Sequence, residues 1–351
     1  MKDPDRAGSP VIRDLYLGLP DVEDAGARWG PALALEARRR RDQGWPLAPA
    51  FRSIHVGGGC ASVLDARVPG SLLEALEVAL APGAEWAVEF EPRRLSASLL
   101  EAWVAAGVSR IVLRPGTLAE VRGAAEVLDG APGLHWSVDV EFGGPAAPGA
   151  VDTVARLARE FAVPHLSLTE ADDPWDPDRV AQEYLEIAGL LDELGYRAWE
   201  LSSFALPDHV PRHARAVWRG CPYMGLGPGA HSFSGGVRIW NLEPWEAYFF
   251  KIQQGEDPTA GRERPDIEAR ALEWLWSRLR LREGLALDRL PPAAGAVHER
   301  WVTMGWAHDD PSRLRLSERG WLLLDTLAVE LASRLPAEEL SPDPEVEPRH
   351  P

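Results

Sequence analysis

Short apolar runs alternate along the chain with longer stretches whose apolar residues recur every three to four positions. The short runs are RDLYLGL (13–19), SIHVG (53–57), WAVEFEP (86–92), SRIVLRP (109–115), LHWSVDVEF (134–142) and PHLSLTE (164–170). Their β-branched and aromatic content marks them as strands. Between them, GSLLEALEVAL (70–80), SASLLEAWVAAG (96–107), TLAEVRGAAEVL (117–128), AVDTVARLAREFA (150–162) and PDRVAQEYLEIAGLLDEL (177–194) carry helical stripes. Leu72, Leu76 and Leu80 form the first of these. The strands lie too far apart for hairpins and are spaced for βαβ units. This predicts an α/β protein with a parallel sheet, either open and doubly wound or curled into a partial barrel. In either form the ligand end is the C-terminal edge of the strands.

The stretch SIHVGGGCASVLD (53–65) falls on that edge. Gly57, Gly58 and Gly59 let the backbone turn tightly and approach a neighbour closely. No Gly-Lys-Ser/Thr follows, so this is not a P-loop. Ser62 stands where a dinucleotide fingerprint needs its third glycine, and the unit is second rather than first in the series.

From Tyr196 to Ile252, glycine, proline, histidine and aromatic residues cluster, as in CPYMGLGPGAHSFSGGVRIWN (221–241). After Gly261, RPDIEARALEWLWSRLRLREG reads as a long helix. A short extended pair and a closing helix then make a small winged-helix-like unit. From Pro336, PAEELSPDPEVEPRHP is acidic and proline-rich, and disorder is expected there.

Composition narrows the classes. The 351 residues are 45% hydrophobic, enough for one large domain with an appendage or for two domains. A net charge of -17 argues against a nucleic-acid binder. The one basic run, Arg38 to Arg41, reads as a solvated helix face. No apolar stretch is long enough to span a membrane, and residues 1–10 hold no signal-peptide core, so a cytoplasmic location is expected. Two cysteines, Cys60 and Cys221, make a disulfide framework unexpected. Cys60 reads as a small buried residue. The 15 tryptophans point to filled cores or an interface, with a homodimer as one candidate assembly.

Several segments together carry a resemblance. They are Trp218 with RGCPYMGLGPGAHSFSGGVRIWN (219–241), YRAWELSSFALPDHVPRH (196–213), RLRLREGLAL (278–287), RLRLSERGWLLLDTLAVEL (313–331) and SIHVGGGCASVL (53–64). The chain resembles the heme chaperone HemW group, within the radical S-adenosylmethionine proteins related to oxygen-independent coproporphyrinogen III oxidase. The likeness runs from about Leu15 to about Leu335 and is specific over Trp199 to Asn241. It implies a partial (β/α)6 barrel of TIM type over residues 11–205 and a Gly/Pro/His-rich extension over 206–260. A mostly helical C-terminal domain over 261–336 and an acidic tail over 337–351 would follow. It also implies that Gly57, Gly58 and Gly59 meet the methionine end of S-adenosylmethionine, with Glu89, Arg110 and Asp139 as the remainder of that site.

The departures are equally specific. The family's CxxxCxxC loop after the first strand holds a [4Fe-4S] cluster. Here DLYLGLP runs into DVEDAGARWG (21–30), without a cysteine. Two cysteines cannot supply three thiolates, and Asp21, Glu23 and Asp24 are hard ligands ill suited to replace them. The cluster is therefore expected to be absent. Glu89 matches the family glutamate, but Glu91 replaces an asparagine. Arg110 matches, but Arg114 puts a bulky cation where the family has glycine. Glu89, Arg110, Arg114 and Asp139 are thus left at the mouth, for a polar metabolite or for internal salt bridges.

If radical chemistry is lost, heme binding is the family property that the resemblance still implies, beside a residual S-adenosylmethionine site. His213 and Trp218 match a family motif linked to heme, although its asparagine and tyrosine are missing. Imidazole is a competent ligand of heme iron. The alternative is a histidine that bonds backbone at a turn. Cys221, before Pro222, is a second candidate through its thiolate. His231, in the GPGAHS turn, is a third, with a purely structural role as its alternative. His55 and His209 read as incidental.

The expected function is that of a HemW-like heme-binding or heme-delivery protein without radical catalysis, acting on a heme-accepting protein. The alternatives are an active radical S-adenosylmethionine oxidoreductase of the coproporphyrinogen type and a non-enzymatic interaction scaffold.

Overall fold

The computed structural model describes residues 10–20, 22, 26–59, 61, 64, 67–145, 147 and 149–340. Cys60, Ser62, the acidic residues Asp21, Glu23 and Asp24, and the tail from Ser341 lie outside the described residues. In chain order the elements are β1 (Asp14–Gly18), α1 (Gly26–Asp42), β2 (Ala50–Gly57), α2 (Val68–Leu76), β3 (Ala79–Phe90), α3 (Ala97–Ala106), β4 (Arg110–Leu113), α4 (Leu118–Leu128), β5 (His135–Phe142), α5 (Ala150–Glu160), β6 (His165–Glu170) and α6 (Pro177–Glu193). There follow β7 (Arg197–Glu200), β8 (Ser203–Ala205), α7 (Arg212–Trp218), β9 (Tyr223–Leu226), β10 (His231–Ser234), β11 (Val237–Asn241), α8 (Trp245–Gln253) and β12 (Thr259–Glu263). The chain closes with α9 (Ile267–Arg280), β13 (Leu285–Ala286), α10 (Ala293–Thr303), β14 (Arg313–Leu314), α11 (Glu318–Trp321) and α12 (Leu324–Ala332).

Side-chain caps explain several helix starts. Ser96 caps α3, Asp176 caps α6, and Thr117 with Glu120 forms a capping box on α4. The α2 stripe ends sooner than its leucines suggest. Glu77 takes a left-handed conformation at the C-cap, and Leu80 belongs to β3.

Two compact units emerge. The first takes the chain up to Asp139, then Pro211–His213 and Cys221–Arg264. Its strand order is β12-β11-β10-β9-β1-β2-β3-β4-β5. The strands from β9 to β5 run parallel, as the α/β pattern requires, and β10, β11 and β12 add antiparallel neighbours. The pairing of β9 with β1 was not visible in the βα period.

Register divides this sheet into two faces. Leu15, Leu17, Ile54, Val56, Trp86, Val88, Ile111 and Leu113 are buried on one. The α3 residue Trp103 packs edge-on against Trp86 there, with ring centroids 5.9 Å apart. Asp14, Tyr16, Ser53, His55, Glu85, Glu89 and Arg110 alternate onto the other face.

The basic run of α1 departs from its expected role. Arg38 is exposed, but Arg40 is 1% exposed and pairs with the fully buried Glu36 at 2.9 Å. Leu33, Glu36, Ala37 and Arg40 share one helical stripe, so one arginine of the run faces inward. Glu36 also accepts from Asn241 Nδ2 at 2.8 Å, Tyr248 Oη at 2.8 Å and Gly227 N at 2.9 Å. Asn241 Nδ2 donates to the Gly227 carbonyl as well, at 2.9 Å. The GLGPGAHS loop is thereby tied to α1, and Gly227, at φ 103°, lets it sit against the Gly18 carbonyl.

The second unit comprises Val140–Val210, Ala214–Gly220 and the chain from Pro265. Its β6, β8 and β7 pair antiparallel in that order. In the C-terminal part β13 pairs antiparallel with β14. Glu283 is gripped by Arg215 and Arg219, and Arg280 lies over the Trp218 ring at 4.2 Å. Trp301 and Trp321 are fully buried here, as Trp29, Trp86 and Trp103 are in the first unit. These five tryptophans fill cores.

Candidate functional site

The polar face of the first unit brings together residues far apart in sequence. His55 is its hub. Its Nε2 bonds Glu89 Oε1 at 2.8 Å, and its ring stacks on Tyr16, with centroids 5.7 Å apart, and on His213, at 5.4 Å. Burial opposes charge on His55, but the hydrogen bond and charge of Glu89, with Glu85 and Asp139 nearby, outweigh it and raise its pKa. Burial likewise opposes ionisation of Glu89. The His55 bond, the Gly58 amide and Arg114 outweigh it, and its pKa is lowered. The two form an ion pair. His55 is therefore not incidental, contrary to its sequence reading.

The glycine turn owes its composition to this pair. Gly58 N donates to Glu89 Oε2 at 3.2 Å. A Cβ on Gly57 would lie 2.4 Å from Glu89 Oε1, and one on Gly58 2.8 Å from Tyr16 Oη. A Cβ on Gly59 would lie 2.7 Å from the Pro20 carbonyl oxygen. What the turn approaches closely is the protein itself.

His213 sits beside this ion pair in a different state. Arg52 holds Asp14 with two nitrogens, Nε at 2.9 Å and Nη2 at 2.7 Å. The Ser53 hydroxyl donates to Asp14 Oδ1 at 2.6 Å, and Ser53 Oγ lies 3.0 Å from His213 Nδ1. With the Ser53 proton directed to the carboxylate, Ser53 accepts from Nδ1–H. The lone pair of His213 then resides on Nε2, which no described residue bonds. Burial, then the charges of His55 and Arg52, hold its pKa well below 6.5, so the ring is neutral. The order is carboxylate, hydroxyl, imidazole. A nucleophilic serine needs the imidazole in the middle, so this is not a hydrolytic triad.

Other sequence candidates find structural employment. Arg110, 2% exposed, donates to Glu85 Oε2 at 2.8 Å and to Ser137 Oγ at 3.0 Å. Glu85 Oε1 in turn accepts from the Arg212 amide at 2.8 Å and the His213 amide at 3.4 Å. Arg110 thus braces the backbone that carries His213. Asp139 is near enough for its charge to act on His55. The Cys221 thiol is within hydrogen-bond reach of Arg52. His231 is exposed and stacks on its cross-strand partner Trp240, with centroids 6.0 Å apart, rather than joining the His55–His213 stack.

Sequence reasoning missed Tyr16, Ser53, Asp14 and Glu85 along with His55. A signal was present. Parallel strands covered on both faces read as continuous apolar runs, whereas these alternate with polar residues.

The donor set does not fit a [4Fe-4S] cluster. Cys221 lies beside Arg52, Cys60 is the only other cysteine, and the segment after β1 has none. The fit for S-adenosylmethionine is altered too, because Glu89 and the Gly58 amide are engaged with each other and with His55.

No family profile matches the chain. It is 29% identical to the heme chaperone HemW of Mycobacterium tuberculosis, covering 86% of this chain and 85% of that protein. It is 28% identical to the mitochondrial radical S-adenosyl methionine domain-containing protein 1 of Bos taurus, covering 81% and 76%. In structure it is similar to the Escherichia coli coproporphyrinogen III oxidase HemN, a radical SAM enzyme, with a TM-score of 0.73 at 16% identity over 93% of this chain and 91% of that one. No helix among the described residues is long and apolar enough to cross a membrane. Over most of its length the chain is therefore similar to proteins named heme chaperone HemW, and its α/β fold is close to that of HemN.

Proposed function

We propose that the protein binds heme and passes it to an acceptor protein in the cytoplasm, with His213 as axial ligand. The observation that carries this reading is the fixed state of His213. A hydrogen-bonded Nδ1–H, backed by Ser53 and Asp14, orients the ring and leaves the Nε2 lone pair unbonded. Metal-ligating histidines are commonly held in this way from behind. The reading also has the protein work without a cluster and without radical catalysis, since its two cysteines cannot provide three thiolates.

The test is an anaerobic hemin titration followed at the Soret band, with wild type and His213→Ala side by side. Wild type saturates near one equivalent, and the variant binds at least about tenfold more weakly with a displaced Soret band. Absence of saturable binding in both proteins would sink the proposal. The HemN-like fold supports a second reading, an active radical oxidoreductase. Iron and sulfide reconstitution separates the two. About four irons per chain, with reductive cleavage of S-adenosylmethionine, would establish the second reading and remove the first.

A further inference from the structure

Of the four charged residues that the sequence assigns to the mouth of the parallel strands, three are committed. Glu89 is bound to His55 and Gly58, Arg110 to Glu85 and Ser137, and Asp139 has an interaction of its own. Arg114 differs. Its backbone amide donates to the Phe90 carbonyl and fixes the residue just beyond β4. Its side chain makes one hydrogen bond among the described residues, from Nη1 to the Gly59 carbonyl at a long 3.4 Å. No carboxylate of the described residues lies within ion-pair distance of it. The guanidinium is half-buried and always charged, with five donors in a planar fork. Such a group is matched by a carboxylate, bound through two parallel hydrogen bonds.

A second donor is at hand. The Tyr16 hydroxyl stands over Gly58, and no described residue bonds it. Tyr16 and Arg114 are both on the polar face, at the same glycine turn.

We propose that Arg114, with the Tyr16 hydroxyl beside it, binds a carboxylate of the ligand that enters this mouth. Combined with the heme reading, on which this assignment of source rests, the carboxylate is a porphyrin propionate. The same chemistry would take the carboxylate of an amino-acid ligand. Arg114 is then a specificity residue, separate from iron ligation by His213.

The test uses pairs of probes that differ in the carboxylate. Hemin and hemin dimethyl ester are titrated against wild type, Arg114→Gln and Arg114→Lys, with tryptophan fluorescence as the readout. Wild type prefers hemin by about tenfold, as expected for a charged hydrogen-bonded pair. Arg114→Gln loses that preference by binding hemin more weakly, with ester affinity and Soret position unchanged. Arg114→Lys keeps the charge without the fork and falls between. S-adenosylmethionine and its decarboxylated analogue form the second pair. If hemin fails to bind but wild type prefers the carboxylated sulfonium and Arg114→Gln does not, the heme reading falls and the carboxylate site stands. Absence of any Arg114-dependent carboxylate preference in both pairs, failure of all four probes to bind included, overturns the proposal.

Discussion

His55 and His213 show how far neighbours can separate two identical side chains. Their rings are stacked at 5.4 Å, yet Glu89 raises the pKa of one while burial and like charge push that of the other well down. The signs for stability follow. A neutral histidine with depressed pKa takes up fewer protons when folded than when unfolded, so it costs stability as pH falls below 6.5. The lowered Glu89 contributes above its ordinary 4.5 and loses that contribution as pH falls through its folded value. The raised His55 contributes fully below 6.5 and loses its share as pH rises through its folded value. Melting temperatures of wild type and His213→Gln measured from pH 7.5 to 5 check the first term. The variant is expected to lose less stability on acidification, and parallel curves would refute the assignment. Of these residues, His213 was legible in sequence because a motif surrounded it. His55 was not, since its importance comes from a strand 34 residues away in sequence, which places Glu89 against it, and from a distant helix, α7, which brings His213 to its ring.

At the scale of elements, the strongest sequence match has an architectural role in this molecule. Gly227 and Asn241 reach Glu36 of α1 and lock the glycine loop against the end of β1. Glu36→Gln leaves Arg40 buried beside a neutral partner. The expected loss is about 3–5 kcal/mol of unfolding free energy, measured by urea denaturation. A loss below about 1 kcal/mol would show that Asp257, 3.5 Å from Arg40, suffices as its counter-ion. The parallel strands β1 to β5 and their helices were legible because each carries its own period. The inward turn of Arg40 was obscured by its neighbours Arg38, Arg39 and Arg41, although the stripe of Leu33, Glu36, Ala37 and Arg40 encodes it. The extension strands were not legible, being short and rich in glycine.

At the scale of the whole molecule, the α/β class followed from the alternation of runs, and the similarity to the HemW proteins from motifs near the middle of the chain. What neither conveyed is that β9 to β12 continue the sheet beyond β1. Without β9, the buried and apolar β1 would present an unpaired edge. The boundary is moved instead to β12, TAGRE, where Arg262 and Glu263 stand and Trp240 covers the gap above Gly261. Replacing Arg262 and Glu263 together by valine is expected to produce concentration-dependent assembly, read by light scattering, and an unchanged scattering profile would refute this. The border strand is thus a colloidal device: an acidic chain kept at high concentration meets its copies through charge and a bulky indole, and ribbon growth has no template on which to begin.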